Sequence, residues 1–435
     1  MLPRGLWWGR GGAGALGNET ITADLPRLAA VEVRLPAVAA VDTGTRAVGL
    51  DGLRALAVLG IVVYHGVFLL PATWHVAYPL AQHLDAAVEV FFVLSGYLIY
   101  GPFARAHVRG RPPPRLRGYL LRRAVRIYPA YLVAVGGLLL FGWIHFDDTA
   151  QLVQHLTLTQ GYFPRDDASL FLPAGLGQSW TLVVEVSFYA FVPAWAWAMR
   201  RLARAGGLDG RRQELAGVAV LLAAGTAAAV IAAENPLPVP FAVLPPHLVG
   251  LGWGMLLAVV TVDGRPAWLQ RRRPARVPTT ELCWIGACAT LVVLSYLQQG
   301  FDYEPGDMLV RHALKLLAAA LLVTPVVLGG ATVGLVPRLL SWRPLVTVGV
   351  VSYGIYLWHL DVLADLPGPW HEGSPTSSAV AMGARAAVAL AFGAASFYVL
   401  ERPLMKWAGR TSKTDTALPR ESSSSAASPV LSRSG

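Results

Sequence analysis

Apolar residues gather along this chain in runs of about twenty, and polar residues gather in the stretches between them. A helix rising about 1.5 Å per residue crosses the roughly 30 Å hydrocarbon core of a bilayer in such a run. The pattern predicts ten helices, near 50–70, 83–103, 124–144, 178–199, 214–232, 240–262, 280–298, 309–330, 344–364 and 379–400. Their connections form two alternating sets. The stretches 104–126, 200–213, 263–279 and 331–343 carry 20 Lys and Arg, whereas 71–82, 145–177, 233–239, 299–308 and 365–378 carry one, Arg165. Loops rich in Lys and Arg stay in the cytoplasm. The first set is therefore expected there, together with both termini.

The expected fold is all-α: a polytopic membrane helical bundle of about ten transmembrane helices, placed as a multi-pass protein of the cell membrane. Residues 1–48 read as a flexible cytoplasmic arm without a cleavable signal peptide, and the Ser-rich segment 406–435 as a disordered cytoplasmic tail. That leaves 49–405 as one transmembrane domain.

Composition sharpens this picture. Hydrophobic residues make up 54% of the chain and charged residues 14%, where a soluble domain carries about 25% charged residues. A net charge of +10 would suit nucleic acid on a soluble face. Here the arginines sit in short loops between apolar runs, so the charge is a topology signal and no nucleic-acid partner is expected. Cys283 and Cys288 fall in one apolar run. They offer neither a disulfide framework nor metal-ligand spacing, and no metal is expected.

Ionisable groups inside the spans are the candidate chemistry, because each costs at least about 2.5–3.5 kcal/mol to insert and so faces a cavity or a partner. Arg54 and His65 lie eleven residues apart on the first span. At about 100° per residue they share one helix face, roughly 16 Å apart along the axis. Counted along their own helices, Glu89, Glu185, His65 and His359 reach a similar depth in the outer half of the bilayer. An imidazole beside a carboxylate is a general-base pair. The same layer could equally relay protons in a transporter or polysaccharide exporter.

At the mouth of the third span, Arg117, Arg122, Arg123 and Arg126 cluster. They suit positive-inside anchoring, or a clamp on the phosphates of a nucleotide arriving from the cytoplasm. Arg123 and Arg126 share a face. Ser95, in "VLSGYL", could be a nucleophile, although a Ser-Gly pair also serves close helix packing. Trp180, Tyr189, Tyr353 and Trp358 flank the polar layer as packing residues or as walls of an acceptor pocket. His247, His312 and Lys315 could line a cavity.

Taken in order, these motifs resemble the acyltransferase 3 family of integral membrane O-acyltransferases. Arg54 and His65 form an Arg-x10-His pair. "VEVFFVLSGYLI" is similar to the family's Phe-Phe-x-x-Ser-Gly segment, with Glu89 at its acidic position. "RRAVRIYPAY" is similar to its Arg-x-x-Arg loop, "WTLVVEVSFY" and "SYGIYLWH" to later membrane motifs, and "ERP" closes the domain. The resemblance implies ten helices and transfer of an acyl group, often acetyl, from acyl-CoA to a hydroxyl. The donor is then a substrate, with no tightly bound cofactor. His65 is implied to be catalytic, and Arg54, Arg123 and Arg126 to serve the donor. Acceptors in the family include polysaccharides, lipid-linked sugars and macrolide-like metabolites. The expected mechanism has His65, oriented by Glu89 or Glu185, taking the proton of the acceptor hydroxyl.

Overall fold

The computed structural model describes residues 45–69, 79–163, 176–205, 207, 209–234, 239–264, 266, 279–297, 305–329, 334–366 and 375–414. The helices in chain order are α1 (Thr45–Phe68), α2 (Ala86–Val108), α3 (Leu116–Phe141), α4 (Thr149–Thr157), α5 (Trp180–Ala205), α6 (Gly210–Ala233) and α7 (Leu244–Val260). They continue as α8 (Thr279–Leu297), α9 (Pro305–Gly329), α10 (Leu335–Leu340), α11 (Arg343–Val350), α12 (Ser352–Asp365), α13 (Pro375–Ser396) and α14 (Arg402–Thr414). Among the described residues no strand occurs.

The described part of every segment predicted to span is mainly helical, but two of the ten are not simple long spans. Among the described residues, eight helices are long and apolar enough to cross a membrane, and α11 with α12 makes a ninth candidate, bent by 74° at Val351. The sixth, α7, is apolar but has only 17 residues. Pro245 and Pro246 occupy its first turn, where the missing N–H groups cost nothing, and so fix its start. The chain is a multi-pass membrane protein.

Two boundaries moved. Helix α3 starts at Leu116, eight residues ahead of the expected span, because the run Pro112–Pro114 holds the chain extended only as far as Arg115. The arginines read as a loop cluster therefore stand on the first turns of a helix. At the other end, a π-helical turn at Phe397–Glu401 links α13 to α14, which continues to Thr414 in the segment read as a tail. Residues 1–44 and 415–435 lie outside the described residues.

Helix α2 is the centre of the bundle and packs on α1, α5, α6, α7 and α9. Small residues set its closest approach. A Cβ on Gly96 would fall 1.9 Å from the Leu251 carbonyl oxygen, and one on Gly254 would fall 2.0 Å from that of Val93. The Ser-Gly pair thus brings α2 and α7 into backbone contact, as small residues do between membrane helices. Nearer the arginine-rich end, the buried Glu214 of α6 accepts from Tyr100 Oη and lies 2.6 Å from His107 Nδ1. Both partners are on α2, so a charge that would be costly alone joins two helices.

The short helix α12 is buried along nearly its whole length, against α1, α3 and α13. Its far end is tied to the segment before α5. Asp361 accepts from Leu176 N–H (2.9 Å) and from Gln178 Nε2 (2.9 Å), and Gln178 Nε2 also donates to the Leu357 carbonyl (2.8 Å). These bonds, made where no water competes, hold α12 at a fixed height in the bundle.

Candidate active site

Two cavities share a wall within the bundle. One, of about 110 Å³, is lined by Arg54, Ser95, Arg123, Arg126, Glu185 and Tyr353. The other, of about 380 Å³, is lined by His65, Glu89, Trp180, His247, His312 and Lys315 among others. Val88 and Tyr356 line both, and so form part of the wall between them. Helix α1 runs past both cavities, presenting Arg54 to the first and His65 to the second. That is the shared face its eleven-residue spacing predicts.

The arginine cavity carries three guanidinium groups against one carboxylate. Arg54 pairs with Asp51 one turn earlier on α1 (3.0 Å). The guanidinium of Arg123 lies over the rings of Tyr119 (5.8 Å) and Tyr189 (5.4 Å), and that of Arg126 over Tyr353 (5.8 Å). These rings are themselves fixed: Tyr119 Oη donates to the Tyr189 carbonyl (3.1 Å), and Tyr353 Oη to that of Ile127 (2.9 Å). Stacked planar cations held in this way present their N–H forks with little entropy left to lose. Glu185 accepts from Tyr189 Oη (2.5 Å). Ser95 is one wall of this cavity.

The histidine cavity is different in charge. Lys315 forms an ion pair with Asp85 at the start of α2, and Arg311 Nη2 donates to the Gln82 carbonyl (3.3 Å). The carboxylate of Glu89 lies 3.6 Å from His247 Nδ1 and 3.5 Å from His312 Nδ1. With neutral imidazoles, the two cations and two carboxylates of this cavity balance. Its walls are rich in rings: Trp180 lies 5.4 Å from His247, and Phe241 lies 5.6 Å from His312. Gly250 of α7 makes room for Glu89, since a Cβ there would sit 2.7 Å from Oε2.

His65 itself meets neither carboxylate. Its Nδ1 lies 2.9 Å from Nε2 of the wholly buried His359 and 3.2 Å from the Ile61 carbonyl oxygen. The sequence reading paired it with Glu89 or Glu185. The structure gives Glu89 two other histidines and puts Glu185 in the arginine cavity. The reason is rotational. Depth along a helix is legible from the sequence, but which face of a buried, all-apolar helix turns toward which neighbour is set by packing.

His247, His312 and Lys315, named above only as cavity-lining possibilities, converge on Glu89 and Asp85. Asp85, Gln178 and Tyr356 were not singled out. Asp85 stands four residues before Glu89, on one helix face, and Tyr356 three residues before His359. Those spacings were the available signal. Tyr356 Oη donates to the Gln178 carbonyl (3.1 Å) and is 2.8 Å from Thr181 Oγ1, which steadies the wall between the cavities.

The chain is 29% identical to YrhL of Bacillus subtilis (strain 168) over 373 residues, 82% of this chain and 54% of that protein. It is 25% identical to the peptidoglycan O-acetyltransferase OatA of Listeria monocytogenes over 325 residues, 72% of this chain and 49% of that one. With the O-acetyltransferase OatA of Staphylococcus aureus (strain NCTC 8325) it shares 24% over 341 residues, 75% of this chain and 52% of that one. The chain thus spans about half the length of these relatives. No solved structure matches it. The family model described as "Acyltransferase domain" matches residues 48–396, helices α1 to α13, and the chain belongs to that family, acyltransferase 3.

Proposed function

We propose that this protein is a membrane O-acyltransferase that moves an acyl group, acetyl by analogy with its relatives, from acyl-CoA to a hydroxyl of a cell-surface carbohydrate. The observation that carries the reading is the pair of unlike cavities that share the wall at Val88 and Tyr356, one lined by arginines and the other by His65 and two further histidines. The arginine cavity, at the Arg-rich end expected in the cytoplasm, has an excess of positive charge and suits a polyanionic donor. Its small volume suits the narrow thioester arm, with phosphates held by the guanidinium forks of Arg54, Arg123 and Arg126. The histidine cavity is charge-balanced and ring-walled, and falls within the roughly 300–1,000 Å³ usual for small-molecule sites. It suits a neutral polyhydroxyl ring.

The reaction joins the two at His65. The acceptor hydroxyl gives its proton to the imidazole as its oxygen adds to the thioester carbonyl carbon. The carbon–sulfur bond then breaks, and the thiolate leaves with the proton that His65 held. Acyl-CoA and alcohol become ester and free thiol, and the imidazole returns neutral. The wall at Val88 and Tyr356 is where donor and acceptor meet.

The test is thiol release by the purified, detergent-solubilised protein given acetyl-CoA, alone and with N-acetylated sugar oligomers. The reading expects acetyl-CoA to raise the melting temperature by mass action, and a carbohydrate acceptor to raise thiol release. Well-folded protein that neither binds acetyl-CoA nor releases thiol would sink it and leave a proton relay as the better account.

A further inference from the structure

The contacts of His65 point to where its proton lies. A carbonyl oxygen only accepts, so Nδ1, 3.2 Å from the Ile61 oxygen, carries hydrogen. The same argument fixes His359, whose Nδ1 lies 2.7 Å from the Tyr356 carbonyl oxygen. A neutral His359 with Nδ1–H then has its lone pair on Nε2, 2.9 Å from His65 Nδ1. A charged His359 would aim an N–H at an N–H. The bonds therefore run one way: His65 Nδ1–H, shared between the Ile61 carbonyl and His359 Nε2, and His359 Nδ1–H to the Tyr356 carbonyl. The nitrogen left over is His65 Nε2, on a ring that lines the histidine cavity.

We propose that His359 is a positioning residue that locks His65 in the Nδ1–H tautomer and so leaves Nε2 as the lone pair facing the acceptor hydroxyl. The proposal rests on the reading of His65 as the base. His359 is fully buried and lines neither cavity, so it acts through His65 and not on substrate. The role is the one a carboxylate fills in Ser-His-Asp triads, filled here by a neutral ring backed by a main-chain carbonyl. The nearby carboxylates are committed elsewhere, Glu89 to His247 and His312, and Glu185 to Tyr189. A neutral partner suits a site in the membrane, where a resting buried ion is costly. When Nε2 takes the hydroxyl proton, the imidazolium still donates through Nδ1 to His359.

Two substitutions of similar polarity separate this role from packing. In His359→Gln the terminal amide replaces Nε2, so its oxygen can accept from His65. In His359→Asn the shorter amide replaces Nδ1 and leaves nothing at Nε2. The account expects His359→Gln to keep most of kcat. It expects His359→Asn to lose roughly 10- to 100-fold with the donor KM unchanged, less than the ~10⁴-fold of a triad with the wrong tautomer, because Ile61 still accepts. Ring-¹⁵N-histidine NMR in micelles reads the tautomer directly. The proton should sit on His65 Nδ1 in wild type and in His359→Gln, and divide between the two nitrogens in His359→Asn. A proton on Nε2 in the wild type would overturn the proposal, as would equal kcat and tautomer in the two variants. Full turnover by His65→Ala, with the Nδ1–H tautomer seen in the wild type, would instead sink the reading of His65 as the base and leave the ring arrangement standing.

Discussion

Replacing Arg123 with glutamine should weaken acyl-CoA binding without unfolding the protein. The side chain lines the arginine cavity and is held between two tyrosines, 5.8 Å from the ring of Tyr119 and 5.4 Å from that of Tyr189. Because those rings already fix the guanidinium, a phosphate gains its bonds without paying to order a mobile chain. A hydrogen bond to a charged group contributes about 1.5–3 kcal/mol, which at about 1.4 kcal/mol per tenfold is roughly a 10- to 150-fold rise in Kd. Lost stacking costs the free protein only about 0.5–1 kcal/mol per ring, so its melting temperature should fall by a few degrees at most. Arg123→Lys should be intermediate, since it keeps charge but loses the planar fork. Arg211 is the control, because it pairs with Asp263 on an exposed surface and its replacement should leave Kd alone. Equilibrium binding of a non-hydrolysable acetyl-CoA analogue, at two salt concentrations, reads all four proteins. Unchanged affinity in Arg123→Gln, or an equal loss in Arg211→Gln, would refute the assignment of this cavity to the donor.

Three further outcomes follow. Val88→Trp, in the wall between the cavities, should leave analogue binding within about threefold while thiol release falls at least tenfold, since only the meeting of the two substrates is blocked; parallel loss of both would mean that Val88 is a packing residue. Lys315→Met should destabilise the protein by about 3–5 kcal/mol by leaving the Asp85 carboxylate without its cation, and the double variant with Asp85→Asn should regain most of that in thermal unfolding. Gly254→Ala should force α2 and α7 apart, because its Cβ would lie 2.0 Å from the Val93 oxygen, and should cost at least the 1–3 kcal/mol or so of an overpacked core, seen as a lower melting temperature.

The sequence carried the spans well, because a bilayer imposes one length and one polarity on each of them. Of the four groups expected at one depth, His65 touches His359 and shares a cavity with Glu89, whereas Glu185 lines the other cavity. What the sequence withheld was azimuth. Glu89 and His65 line the same cavity, yet the partner of His65 is another histidine and Glu89 turns to α7 and α9. Periodicity cannot decide this in helices that are apolar on every side. The bend at Val351 was also hidden, since "VGVVSYG" reads as continuous apolar helix and the break depends on how α12 is anchored through Asp361 to Gln178. Arg117, Arg122 and Arg123 fall ahead of the span expected at 124–144 but lie on α3, whose start the three prolines ahead of Arg115 mark.

The most direct test of the account is thiol release from acetyl-CoA by wild type and by His65→Ala, each first shown by thermal shift to bind the donor. The account predicts equal donor binding and a fall in acceptor-dependent release of roughly 10²–10⁴-fold, the usual worth of a positioned general base. Equal release by the two proteins would contradict it, and would move the chemistry away from the layer where His65 meets His359.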